Sequence, residues 1–143
     1  MTRTAEPAVD ALTHELWSAL TPLIRRMFAS YSMPYTQMAV LSRLDRCGPA
    51  TSSELAAQQH VRPQSMAATI GELALADLVG RTADPEDGRK VLVTITKQGR
   101  ETLARERAHS QQWLRAALGE RLSPNEQADL VRAVALIERL TEE

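Results

Sequence analysis

"RTADPEDGRKVLVTIT" spans Arg81–Thr96 in a chain whose other segments carry the periodicity of helices. Here Val91, Val93 and Ile95 alternate with Lys90, Leu92, Thr94 and Thr96, the period of two expected of a half-buried strand. Asp87-Gly88 is a turn dipeptide. The stretch therefore predicts strands over residues 79–83 and 90–96, joined by a charged tip at residues 84–89.

Helices are predicted on both sides of this hairpin. A first helix is expected over Val9–Ser30, where Val9, Leu12, Leu16, Leu20, Leu23 and Met27 form one apolar stripe. Pro22 inside it should kink the helix or remove one hydrogen bond. A second helix follows Pro34, presents Met38, Leu41 and Leu44 on one face, and stops at Cys47-Gly48-Pro49. "TSSEL" opens a short third helix through about Gln59, with Thr51 and Glu54 in capping-box spacing. Pro63 in "VRP" suits the first turn of a fourth helix, expected to run to about Leu78 with Met66, Ile70, Leu73 and Leu78 inward. Beyond the hairpin, Thr96 is placed to cap a long helix reaching about Gly119. "SPNE" then starts a last helix, with Ser123 as cap, Pro124 at its first position and Glu126 closing the box. Its apolar positions are Leu130, Val134, Ile137 and Leu140.

At 143 residues the chain is expected to form one domain with a real core. Aromatic residues make up only 3%, which leaves that core to Leu, Val, Ala, Ile and Met. No apolar run approaches the ~18 residues of a membrane span. The N-terminal "MTRTAEPAVDALTHEL" lacks a signal-peptide pattern, so a cytoplasmic protein with no membrane partner is expected. The single Cys47 excludes an internal disulfide. Its place at a helix end favours a small buried filler over a redox sensor.

The net charge of −1 argues against indiscriminate nucleic-acid binding but leaves room for a local basic patch. Residues 62–100 carry Arg62, Arg81, Arg89, Lys90, Lys97 and Arg100 against Glu72, Asp77, Asp84, Glu86 and Asp87. Residues 120–143 are acidic. A Gly-rich phosphate loop, an HExxH pair and a nucleophile elbow are all missing, so an enzyme is not expected. His14, His60 and His109 have no partner at metal-ligand spacing, so neither metal nor cofactor is expected.

Two helices joined by a tight turn and followed by a two-stranded hairpin make a winged helix-turn-helix. The second helix of such a pair fits the DNA major groove, and the hairpin reaches along the phosphate backbone, where Arg89 and Lys90 supply cations. In the second helix Gln64 can pair bidentately with adenine, and Ser65 and Thr69 can meet phosphates or base edges. Met66 and Ile70 belong to the core. Ser52, Ser53, Arg62 and Arg81 complete the candidate DNA contacts. As an alternative, the mild charge leaves a dimeric winged-helix interaction module without specific DNA binding.

The segment "SSELAAQQHVRPQSMAATIGELALADLVGRTADPEDGRKVLVTITKQGRE", with the order of elements around it, resembles the MarR-type transcriptional regulators. "DPEDGR" is similar to that family's wing pattern of Asp, any residue, Arg, Asp, any residue, Arg: Asp84, Asp87 and Arg89 match, and Glu86 replaces an arginine. The resemblance implies a homodimer held by the first, fifth and sixth helices and bound to a pseudo-palindromic operator. Many relatives are repressors released by small phenolic or aromatic ligands. The lobe reading DNA is then residues 35–96, and residues 1–34 and 97–143 form the helical dimerisation region. Asp84 and Asp87 are assigned to orienting Arg89. Trp17 and Trp113 are read first as core or interface residues; as both lie on helices expected at the dimer cleft, they are also the candidate lining for an aromatic effector.

Overall fold

The computed structural model describes residues 6–141. The elements follow in the order α1 (Glu6–Ala29), α2 (Tyr35–Cys47), α3 (Ser52–Gln58), α4 (Pro63–Leu75), β1 (Val79–Ala83), β2 (Val91–Ile95), α5 (Lys97–Arg121) and α6 (Pro124–Arg139). The fold is mainly helical, with one antiparallel hairpin, as the alternation in residues 90–96 predicts. Its register sets Val79 opposite Ile95 and Ala83 opposite Val91.

The core lies in the middle of the chain. Met38, Val40, Leu41 and Leu44 of α2 meet Leu55 and Ala56 of α3, Met66, Ile70 and Leu73 of α4, Val79, Val93 and Ile95 of the hairpin, and Leu103 of α5. Ala50 joins the hairpin edge: its N–H and carbonyl pair with Val93 at 3.2 and 2.8 Å. Local chemistry sets the helix starts. The Thr51 hydroxyl accepts from Glu54 N while the Glu54 carboxylate accepts from Thr51 N, and Ser123 and Glu126 repeat the arrangement. The bonds from Ser123, backbone N–H first and hydroxyl second, hold the Glu126 carboxyl below its ordinary value. The stabilisation that this carboxylate adds is present above its unfolded pKa and is lost as pH falls through the lowered folded value.

Three expectations are corrected. First, α4 ends at Leu75, short of Leu78. Asp77 adopts φ 58°, and Leu78 N donates to Leu73 O (2.9 Å) while Asp77 N donates to Ala74 O (3.0 Å). This is a Schellman closure with aspartate in the left-handed position usually held by glycine; Leu78 stays buried, but as the lead into β1. Second, α5 runs on to Arg121, beyond Gly119. Third, Cys47 is exposed. The inward stripe of α2 stops at Leu44; the chain then turns at Gly48 (φ 82°), and Ala50 takes the next core position.

Pro22 sits inside an uninterrupted α1. It cannot donate to the carbonyl four residues back, while the Thr21 hydroxyl donates to Trp17 O (2.8 Å) one turn earlier. The apolar stripes of the outer helices are left open. Val9, Leu12 and Trp17 of α1 are exposed, and so are Leu130, Val131, Val134, Leu136 and Leu140 toward the C-terminus, where α6 has no buried residue at all.

Candidate nucleic-acid interface

α3 and α4 are joined by a second Schellman closure. Val61 N donates to Ala56 O (3.1 Å) and His60 N to Ala57 O (3.3 Å), with His60 at φ 52°. The left-handed residue turns the chain sharply enough for α4 to start at once, with Arg62 as N-cap and Pro63 at its first position. Met66, Ile70 and Leu73 point inward, so helical geometry turns Gln64, Ser65, Ala67 and Ala68 outward; all four are exposed. Thr69 is half-buried, and its hydroxyl donates to Ser65 O (3.0 Å). The Gln37 amide donates to Glu72 Oε2 (2.8 Å) and ties α4 to α2.

At the first turn of α3, Ser52 is half-buried and Ser53 exposed. Together with Thr51 and Glu54 they share a shallow cleft of about 480 Å³ with Lys90 and Val91 of the hairpin. The fold thus brings the α3 start and the wing to one side. Asp84 N donates to Lys90 O and Lys90 N to Asp87 O, both at 3.0 Å, closing the tip. Asp84 and Asp87 act on this backbone: Asp84 Oδ1 accepts from Glu86 N (2.9 Å) and Asp87 Oδ1 from Arg89 N (3.1 Å). Asp87 therefore fixes the main chain from which Arg89 projects. Among the described residues, no carboxylate lies within ion-pair distance of Arg62, Arg81, Arg89 or Lys90. All four side chains belong to exposed residues, available to an outside anion.

Trp17 is 74% exposed on α1. Trp113 is half-buried on α5, with the Arg26 guanidinium 5.5 Å from its ring centre. Neither lines the cleft of about 780 Å³ walled by Phe28, Tyr31 and Tyr35 with Arg43, Arg46 and Cys47. Phe28 stacks obliquely on Tyr35, ring centres 4.4 Å apart, and on Tyr31 at 5.8 Å. Sequence reasoning misses this cleft. Its signal was the grouping of three aromatics within "FASYSMPY", in a chain otherwise poor in them.

A transcriptional regulator of Pseudomonas aeruginosa superposes with a TM-score of 0.84 at 32% identity, covering 96% of this chain and 99% of that one. An HTH-type transcriptional regulator of Mycobacterium bovis is 34% identical over 129 residues, covering 87% of each chain. The sequence model of the MarR family matches residues 33–91, from the α1–α2 connection to the start of β2.

The chain belongs to the MarR family. The apo structure of MarR from E. coli shares the fold, with a TM-score of 0.70 at 22% identity and 93% of this chain covered. The matched MarR segment contains α2, α3, α4 and β1, the elements that carry Ser52, Ser53, Arg62, Gln64, Ser65, Thr69 and Arg81. The winged helix-turn-helix expected from the hairpin and its neighbours is thus the fold of a transcriptional-regulator family. No helix among the described residues is long and apolar enough to cross a membrane.

Proposed function

We propose that this MarR-family regulator binds an inverted-repeat operator as a homodimer, with α4 in the major groove and the wing on the adjoining backbone. The observation that carries the reading is the division of α4: Met66, Ile70 and Leu73 hold the core, while Gln64, Ser65 and Thr69 share one side with unpaired Arg62. Ser52, Ser53, Arg81, Arg89 and Lys90 supply phosphate contacts around it. The uncovered apolar faces of α1 and α6 support the dimer, because a two-fold copy is the commonest cover for such surface. The DNA-reading lobe is residues 35–96; within 1–34 and 97–143, of which 1–5 and 142–143 lie outside the described residues, α1, α5 and α6 build the dimer base. The protein acts as a repressor, and a small aromatic anion enters beside Phe28, Tyr31 and Tyr35 under Arg43 and Arg46 to release it.

Selection of duplexes from a randomised pool, followed by salt-titrated binding, tests this reading. An enriched inverted repeat and a steep fall of affinity with salt are expected. No enriched sequence and no salt dependence would favour the interaction module, a reading that Glu86 in the wing and the net charge of −1 keep open.

Gln64→Ala is expected to relax base preference by ~1–3 kcal/mol while leaving binding to random DNA nearly intact. Equal weakening on selected and random duplexes would remove Gln64 from base reading. Arg89→Ala is expected to weaken binding without unfolding, most of all where the flanks are rich in A·T, whose narrow minor groove attracts arginine. Glu86→Arg works the other way and should raise the salt slope by about one. Unchanged slopes for both variants would show that the wing does not touch DNA.

A further inference from the structure

Glu106 is a charged residue in an inward position. It lies on α5 between Leu103 and Ser110, on the side facing α1 and α2, and is 7% exposed. An apolar residue is the default there, since a buried carboxylate is costly unless its oxygens are satisfied. Both are satisfied by one residue, Ser32, in the connection between α1 and α2. Ser32 N donates to Glu106 Oε2 at 2.8 Å, and the Ser32 hydroxyl donates to Oε1. Among the described residues, no cation lies within ion-pair distance of Glu106. Ser110 and Arg107 also tie α5 to the same region: Ser110 donates to Met27 O (3.2 Å), and Arg107 reaches Asp45 (3.5 Å) and Ser42 (3.3 Å) of α2.

The geometry points to Glu106 as a positioning residue for DNA binding: its clasp on Ser32 fixes against the long helix α5 the connection through which α1 enters the lobe that carries α4. If the α1–α2 connection moves, both donors leave together and a buried carboxylate is left bare, which makes the restoring force steep. An apolar pair at the same place would slide at less cost. α5 begins two residues after β2 and runs 25 residues toward the apolar face of α6. Its angle to the lobe therefore sets how far apart two copies hold their recognition helices. The inference rests on the dimeric reading above. It also gives the aromatic cleft a lever, because Tyr31 and Tyr35 flank Ser32 in sequence and line that cleft.

The test uses the full chain and inverted repeats selected by the wild type, re-spaced by inserting or deleting base pairs between half-sites. Hydrogen exchange of residues 30–36 is followed in parallel. Glu106→Ala is expected to lose protection at the Ser32 amide and to bind the selected spacing about tenfold more weakly, as only a fraction of its lobes stand in the competent position. It should also lose much of the discrimination against wrong spacings. Glu106→Gln, which can accept from Ser32 N and donate to its hydroxyl, should restore both. Ser32→Ala removes one donor at an exposed residue; it should give an intermediate result even if Glu106→Ala fails to fold. A Glu106→Ala variant that exchanges as slowly as wild type overturns the clasp. One that exchanges faster yet keeps the wild-type spacing preference reduces it to a local structural bond and overturns the positioning role. A wild type without any spacing preference removes the dimeric reading, visibly before any variant is made, and this inference with it.

Discussion

Gly99→Ala will lower the stability of the folded chain by about 3 kcal/mol, at the upper end of the usual cost of overpacking. A Cβ at this position, in the first turn of α5, would stand 2.1 Å from the Leu78 carbonyl oxygen and 2.8 Å from Ile95 Cγ1. The first obstacle is backbone, and it is pinned. Leu78 O accepts from Thr96 N (3.1 Å), the Thr96 hydroxyl donates to Asp77 O (2.6 Å), and Gly99 N in turn donates to that hydroxyl (2.9 Å). The added methyl must break this junction, where the end of α4, the wing and α5 meet. In thermal unfolding the expected loss is roughly 10 °C. Gly119→Ala is the matched control: nothing lies within 4 Å of its Cβ position, and alanine in a helix should be neutral or stabilising by about 0.5–1 kcal/mol. Equal unfolding midpoints for the two variants would show that α5 does not pack this closely on the wing.

Val131→Glu combined with Val134→Glu will abolish pairing and lower affinity for a full inverted repeat by about 100-fold or more, the scale of avidity lost when two linked contacts become one. Both valines are exposed and line a groove of about 330 Å³ with Leu118 and Leu130. Neither belongs to the buried core, so the lobe should stay folded while the apolar face of α6 becomes charged. Far-UV circular dichroism and sedimentation check the two halves of this expectation. A variant that still sediments as a dimer would move the interface elsewhere.

Much of the fold was legible because its signals are local. Thr51 with Glu54 and Ser123 with Glu126 announce helix starts within four residues, and the alternation of Val91, Val93 and Ile95 needs no distant partner. The polar side of α4 was legible for the same reason, since Met66, Ile70 and Leu73 mark its inner face. The end of α4 was not, because Asp77 looks like any exposed helical residue until its left-handed φ is seen. Cys47 continues the three-residue spacing of Leu41 and Leu44, and only the turn at Gly48 shows that no element covers it. The aromatic cleft and the clasp on Ser32 depend on long-range packing; Ser32 and Glu106 are 74 residues apart in sequence. A buried glutamate inside a charged helix such as "KQGRETLARERAHS" gives no local sign of its burial.

In the proposed complex two copies of this chain present two α4 helices to one inverted repeat. In that geometry the helices lie ~34 Å apart, one turn of DNA. Sedimentation of the full chain at micromolar concentration, alone and with a selected duplex, tests this most directly. A dimer in the absence of DNA, two chains on each full duplex, and weak binding to a duplex carrying a single half-site are expected. A well-folded monomer that binds the single half-site as tightly as the full repeat would contradict it.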